Sequence, residues 1–282
     1  MTEPFVLTAS CVLYNTAPEE VARLIAQTAS IPVPTHLYLI DNSPEPVALP
    51  LTDPTCVTVI RPGANLGYGR ANNLAIRDSA GRSRYHLVVN SDLQFAGPDV
   101  ARLIAFMDER PDVGLVLPRV EYPDGRLQTL CRLLPTPVDL LARRTFVDTR
   151  WAQRRNQRYE FTDWSYDRIA SFPFLSGCFM LMRQEVLQKV GGFDERYFLY
   201  GEDMDLSRRM HQVSETLFFP DVKIVHEFRS RAQPSRKLLQ YLIVNVGRYF
   251  NKWGWIRDPE RDAINRRCLE QFPDLIAQRR NR

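Results

Sequence analysis

The chain offers little that would tie it to a disulfide scaffold, a membrane span or a nucleic acid. Its five cysteines, Cys11, Cys56, Cys131, Cys178 and Cys268, are odd in number and scattered, and no two have Cys-any-any-Cys spacing. That argues against a disulfide framework and for reduced thiols in a cytoplasmic protein. No apolar run approaches the roughly 20 residues that cross a bilayer. The opening MTEPFVLTAS has no basic stretch leading into a long apolar one, so no secretory leader is expected. Lys and Arg total 37 against 33 Asp and Glu, and the net charge of +4 is too mild to imply a nucleic-acid partner. There are no internal repeats and no low-complexity tracts.

What is present is enough apolar surface for a sizeable core, 44% of the 282 residues, with 25% charged. The first half alternates strand-like and helix-like segments. Residues 5–14, 36–43, 56–62 and 85–92 read as strands. Between them, TAPEEVARLIAQTA opens on a Thr16/Glu19 capping box, and GYGRANNLAIRDSA has helical spacing. PDVARLIAFMDER and VGLVLPRV repeat the pattern. Such alternation predicts an α/β fold with a mostly parallel sheet flanked by helices. In such sheets ligands bind beyond the carboxyl ends of the strands. Residues from about 130 to 170 mix Arg, Trp, Tyr and Phe without clear period and read as an insertion or flexible flap. FLSGCFMLMRQEVLQKVGGFDE gives a strand and a short helix ended by Gly191-Gly192. TLFFPDVKIVHE reads as a strand pair or a bent strand ending at His226. Residues 1–232 form the expected main domain, and 233–282 a C-terminal helical extension.

Four polar groupings stand where chemistry is expected. Asp41-Asn42 and Asn90-Ser91-Asp92 end two strands, where Asx and other turns are also common. NLGYGRANN has glycines at 67 and 69 but Asn72 at the third position of a dinucleotide fingerprint, so a Rossmann cofactor loop is not expected. Arg70 and the amides of Asn72 and Asn73 can instead face phosphate or ribose, or simply cap a helix start. LYGEDMDLSRRM crowds Glu202, Asp203 and Asp205 into four positions at a helix N-terminus. Mutual repulsion and burial raise carboxyl pKa values toward working pH, which suits a general base; the same residues also favour a helix start electrostatically. Adjacent residues point in different directions, so only one of Glu202 and Asp203 can face a substrate.

IDNS at 40–43, NLGYGRANNLAI at 65–76, VVNSD at 88–92, FLSGCFMLMRQEVLQKVGGFDERYFLYGEDMDLSRRM at 174–210 and VHEFRSRA at 225–232 occur in this order. In these motifs the chain resembles family 2 glycosyltransferases of the GT-A fold, especially bacterial rhamnosyltransferases of polysaccharide assembly. The resemblance implies a metal-dependent, inverting sugar transfer with Asp203 as catalytic base. It places Asp92, where the family's Asp-any-Asp is reduced to Asn-Ser-Asp, and His226 at a Mg²⁺ or Mn²⁺ ion. It places Asp41 at the nucleotide base. Asn42, Asn65, Arg70, Asn73, Asn90, Ser91, Glu202, Arg229 and Ser230 join it as substrate-binding residues. Carboxylate-held divalent cations hold a diphosphate and neutralise its departure, so the chemistry agrees.

The implied partners are a nucleotide-sugar donor, with dTDP-L-rhamnose first and a UDP-hexose or UDP-N-acetylhexosamine as the alternative, and a glycan or lipid-linked glycan acceptor. Phe172, Phe174, Leu175 and Cys178 form either an apolar wall for a deoxysugar methyl or a core strand. The helix of 235–255 is either a lid or a peripheral membrane contact on the inner face of the cell membrane, using Arg236, Lys237, Arg248, Lys252, Trp253 and Trp255. A nucleotidyltransferase is less favoured, because SCVLYNTAPEE lacks a Gly-rich, basic loop after the first strand. A non-catalytic sugar-binding module is disfavoured by retention of both Asp92 and Asp203.

Overall fold

Strand β1 (Phe5–Leu13) explains the architecture: Leu7, Ala9, Cys11 and Leu13 on one face and Thr8 and Ser10 on the other are all fully buried, so helices must cover both sides. The structure is a computed structural model, and it describes residues 4–50, 53–145, 148–227 and 236–280. After β1 come α1 (Pro18–Ala29), β2 (Thr35–Asp41), β3 (Val57–Ile60), α2 (Tyr68–Asp78), β4 (Ser83–Val89), β5 (Leu93–Gln94), α3 (Gly97–Glu109) and β6 (Val113–Glu121). The chain continues through β7 (Cys131–Arg132), α4 (Pro137–Thr145), α5 (Arg150–Glu160), β8 (Ala170–Ser171), β9 (Phe174–Leu175), β10 (Phe179–Arg183) and α6 (Gln184–Val190). It closes with α7 (Glu202–His211), β11 (Glu215–His226), α8 (Arg236–Trp253), α9 (Pro259–Glu270) and α10 (Pro273–Arg280).

The main sheet runs β3-β2-β1-β4-β10-β6-β11-β5, with β8 on β11. β3, β2, β1 and β4 are parallel, and β6 is parallel to β11. The α/β expectation therefore holds, with one addition. β10 lies antiparallel between β4 and β6, pairing Phe179 with Val89. Reversing that strand brings the start of β10 to the carboxyl end of β4, and Asn90 N–H donates to Cys178 O at 2.9 Å. β11 is one bent strand, with a register shift between Phe219 and Lys223. Its end pairs with β5, so His226 stands opposite Leu93.

The Thr16/Glu19 capping box does not form. Thr16 Oγ1 instead accepts from Tyr14 N–H at 3.1 Å, Ala17 is the N-cap, and Pro18, preset for the first turn, starts α1. Nor is the stretch around 130–170 a loose flap. Phe161, Tyr166 and Phe172 are buried, and Trp164 packs among Tyr166, Phe172, Phe218 and Phe272 with ring centroids 4.4–5.5 Å apart. Its missing period reflects aromatics packing from a turn rather than from one helix face.

The C-terminal helices are fastened to α7 by buried charge. Arg208, 1% exposed, makes a forked pair with Asp258 at 2.7 and 2.9 Å and lies 4.0 Å over the Trp253 ring. Asp205 binds Lys252 Nζ at 2.7 Å and Trp253 Nε1 at 2.8 Å. Tyr249, Phe250 and Ile264 share a core cluster with Met204 and Phe174.

Candidate active site

Two acidic centres meet at the carboxyl edge of the sheet. The first is at the ends of β4 and β11. The short pairing of β5 with β11 sets His226 beside Asp92, with Nε2 3.2 Å from Asp92 Oδ1. Gln128 holds the imidazole from behind: its Oε1 is 3.0 Å from Nδ1, and its Nε2–H donates to the His226 carbonyl at 3.1 Å. Ser91 Oγ turns back to α1 and donates to Glu20 Oε2 at 3.4 Å. Asn90 Oδ1 is 2.9 Å from the hydroxyl of Tyr68, which also reaches Gly177 O at 2.8 Å.

The second centre is the N-terminus of α7. Gly201, at φ +93°, turns the chain into the helix, and Glu202 and Asp203 open it. Asp203 is half-buried. Its Oδ2 accepts from Gly177 N–H at 3.1 Å and its Oδ1 from Met204 N–H at 2.8 Å. Gly177 is required there, because a Cβ would lie 2.9 Å from Asp203 Cβ. Glu202 is only 4% exposed, and its Oε2 finds no hydrogen-bond donor among the described residues. Burial first, and the Asp203 charge second, push its carboxyl up to about 8. Burial also raises Asp203, opposed by the Gly177 N–H and by the Arg132 guanidinium. The two carboxyls titrate as a pair. Their environments differ: Glu202 has an oxygen without a donor among the described residues, while the two N–H donors to Asp203 oppose the effect of its burial.

Several expected ligands are occupied elsewhere. Asn73 does not face a phosphate or ribose. Its Oδ1 accepts from Phe193 N–H at 2.9 Å and its amide donates to Phe193 O at 2.8 Å, so it pins the loop before α7. Asn72 is buried against Ser10 Oγ at 2.7 Å. Arg70 points outward, its Nε 3.5 Å from Glu195. The glycines of NLGYG serve close approach: a Cβ at Gly67 would stand 2.2 Å from Phe198 O. Asn42 and Asn65 brace each other and the Gly67 turn, with Asn42 Nδ2 3.3 Å from Asn65 Oδ1 and 3.2 Å from Gly67 O. Asp41 makes the Asx turn, accepting from Ser43 N–H at 3.1 Å and also from Val47 N–H at 2.8 Å. Phe172 belongs to the aromatic cluster, and Phe174 stacks with Arg132 at 5.3 Å, so the core-strand alternative describes both. Arg229 and Ser230 lie outside the described residues. Gln128, Tyr68 and Gly177 are contributors that sequence reasoning missed.

The donor set fits a divalent cation. Two donors bound cis to an octahedral ion at about 2.1 Å stand about 3 Å apart, which is the Asp92–His226 spacing of 3.2 Å. Among the described residues no third His, Cys, Asp or Glu completes a cluster. A cation that takes its remaining oxygens from a diphosphate and water needs none.

Comparison with known proteins gives the family and the fold. The profile of glycosyl transferase family 2 matches residues 12–191, and the chain belongs to that family. A profile described as the N-terminal domain of galactosyltransferase matches residues 160–231. The chain is 27% identical over 240 residues to the N-acetylglucosaminyl-diphospho-decaprenol L-rhamnosyltransferase of Mycobacterium tuberculosis, covering 78% of this chain and 76% of that protein. It is 26% identical over 158 residues to the O-antigen biosynthesis protein RfbC of Myxococcus xanthus, covering 51% of this chain and 11% of that one. The crystal structure of GalNAc-T7 with UDP, GalNAc and Mn²⁺ superposes with a TM-score of 0.56 at 13% identity, covering 88% of this chain and about half, 49%, of that protein. The mannosyltransferase PcManGT of Pyrobaculum calidifontis, in complex with GDP-Man and Mn²⁺, gives 0.53 at 14%, covering 95% and 74%. The fold is GT-A, and the chain is a glycosyltransferase.

Proposed function

We propose that the protein transfers a sugar from a nucleotide donor to a glycan acceptor by single displacement with inversion. The carrying observation is the difference within the acidic pair: Asp203 is half-exposed and accepts from two backbone N–H groups, while Glu202 is buried, has an oxygen that meets no donor among the described residues, and is pushed up to about 8 by burial and the Asp203 charge. The acceptor hydroxyl gives its proton to Asp203 as its oxygen bonds to the anomeric carbon. The bond to the nucleoside diphosphate breaks on the opposite face, and the diphosphate leaves with the electron pair. Asp92 and His226 would hold a Mg²⁺ or Mn²⁺ ion, which would supply neutralisation of the departing charge. Asp41, Asn42 and Asn65 shape the strand-end turn that receives the nucleotide, and Asn90 and Ser91 line the approach to the cation.

The favoured donor is dTDP-L-rhamnose, supported by the likeness to an L-rhamnosyltransferase over 78% of the chain. The galactosyltransferase profile is the specific observation behind the alternative, a UDP-hexose or UDP-N-acetylhexosamine. We take the acceptor to be lipid-linked and presented at an anionic bilayer surface. No helix of the described residues is long and apolar enough to cross a membrane. Lys252 and Trp253 turn inward onto Asp205, so they are not available to lipid. The outer face of α8 instead carries exposed Leu239, Ile243 and Val244, and Trp255 and Ile256 are exposed just beyond it. Residues 228–257 contain five Arg and two Lys and no Asp or Glu, a pattern that suits anionic headgroups.

One experiment tests both sides. Each donor is titrated with Mg²⁺ present, and product is followed with acceptor free in solution and in vesicles containing anionic lipid. Transfer is expected fastest from dTDP-L-rhamnose, with preference rather than exclusivity, and faster on vesicles. An apolar contact discriminates by only about 1–3 kcal/mol. Faster transfer from a UDP-sugar removes the rhamnose assignment, and indifference to vesicles removes the lipid surface.

A further inference from the structure

We propose that Tyr68 is a positioning residue: its hydroxyl fixes the backbone of Gly177, and Gly177 in turn fixes Asp203 at the start of α7. The inference rests on the reading of Asp203 as the base for its catalytic consequence, but not for its geometry. Tyr68 is the first residue of α2, and its own backbone is held on both sides. Its N–H donates to Phe198 O at 2.9 Å, and its carbonyl accepts from Asn72 Nδ2 at 3.2 Å. Asn72 is tied to β1 in turn, its Oδ1 accepting from Ser10 Oγ at 2.7 Å. The ring stands edge-on to Phe193, with centroids 6.2 Å apart. The hydroxyl is therefore carried by an anchored helix start rather than by a loop.

It reaches the turn between β9 and β10. The hydroxyl oxygen is 2.8 Å from Gly177 O and 2.9 Å from Asn90 Oδ1. Burial raises this hydroxyl well above the ordinary tyrosine range, so it keeps its one hydrogen. A carbonyl can only accept, whereas an amide can turn over and offer its NH₂, so the hydrogen goes to Gly177 O. On the other side of the same Cα, Gly177 N–H donates to Asp203 Oδ2 at 3.1 Å. Glycine has no Cβ to restrict its φ and ψ, so the direction of that N–H depends on what ties the carbonyl. One residue to either side, Ser176 N–H donates to Leu130 O at 3.2 Å and Cys178 O accepts from Asn90 N–H at 2.9 Å. Tyr68 supplies the tie at Gly177 itself. The charged and titratable groups around Asp203 include Glu202 beside it, Arg132 on β7, Cys178 ahead of β10 and Tyr68. Of the groups that favour its anion, Gly177 N–H stands first, ahead of Arg132 and Met204 N–H. Loosening Gly177 should therefore leave Asp203 harder to ionise.

The test uses the full chain and Tyr68→Phe, which keeps the ring and removes only the hydroxyl. Asp203 is followed with ¹³C-labelled aspartate and assigned by its loss in Asp203→Asn, in a Glu202→Gln background so that one carboxyl of the pair titrates. Gly177 is assigned by labelling serine and glycine together, since Ser176-Gly177 is the one Ser-Gly pair of the sequence. Removing the hydroxyl is expected to move the Asp203 titration to higher pH and to speed hydrogen exchange at the Gly177 amide. With Glu202 in place, the acid limb of kcat should move to higher pH as well, and kcat at neutral pH should fall about 10- to 100-fold. A merely structural role would lower the thermal midpoint and leave titration and acid limb where they were. If Tyr68→Phe does not fold, exchange in the wild type decides: slow exchange at Gly177 is expected, and exchange as fast as in an open loop overturns the proposal. A Phe variant with unchanged Asp203 titration and unchanged Gly177 exchange also overturns it. A titration that moves while the acid limb stays overturns the base reading on which the catalytic consequence rests and leaves the positioning role of Tyr68.

Discussion

The two acidic centres of the site handle negative charge in opposite ways. At the ends of β4 and β11, Asp92 is a quarter exposed and lies 3.2 Å from the ring of His226, which Gln128 holds from behind. That is the centre proposed to take the cation. At the start of α7, Glu202 is buried and Asp203 half-buried against Gly177, with burial raising both. That is the centre proposed to take the acceptor's proton. The lesson is that a carboxylate's setting follows from its neighbours: Asp92 lies beside the ring of His226, Glu202 is buried with an oxygen that meets no donor among the described residues, and half-exposed Asp203 accepts from two backbone N–H groups.

Three perturbations break the comparison in order of effect. Chelation by EDTA should act most strongly, dropping turnover to background, with restoration by Mg²⁺ or Mn²⁺. Such ions supply several kcal/mol of transition-state stabilisation, on the order of 10³-fold or more in rate. Full turnover in metal-free buffer, read by nucleoside diphosphate release, would show that protein cations alone neutralise the leaving group. Asp203→Asn should come next, losing about 10²- to 10⁴-fold in kcat while nucleotide titrations stay near wild type. Near-normal turnover would move the base elsewhere.

Glu202→Gln should have the smallest effect, within about tenfold in kcat at neutral pH, because the amide resembles the protonated acid already present. Its signature is in stability. The wild-type carboxyl titrates near 8 when folded and at its ordinary 4.5 when unfolded. The folded state therefore holds more protons between those values, and stability falls as pH rises through that window. The Gln variant should lose less, by on the order of 1 kcal/mol or more at pH 8, and match wild type at pH 4. Denaturant unfolding at both pH values checks this. A Gln variant as inactive as Asp203→Asn would reverse the two roles.

The parts of this site visible in the sequence are those whose chemistry is local. Asn90-Ser91-Asp92 follows a buried apolar strand, and Glu202-Asp203 follows a glycine and starts a helix. Period and position place both groups at the carboxyl edge of an α/β sheet without reference to anything distant. NLGYGRANN left two readings open for the opposite reason. Its asparagines could face phosphate or cap a helix start, and the choice lay more than a hundred positions later: Phe193 takes up the amide of Asn73, and Phe198 O closes on Gly67 and Tyr68. Gln128 carried no signal beyond its turn, since an amide means nothing until β11 brings His226 to it. The aromatics of 159–172 lacked a period because their partners, Phe218 and Phe272, come from other elements. Hydrophobic spacing and helix starts are properties of contiguous residues, so the sequence by itself determined the α/β class, the family and the two acidic centres. How deeply each acid is buried, which residue holds His226 and which polar side chains are already satisfied depend on bonds between distant segments, and only the tertiary structure decided them.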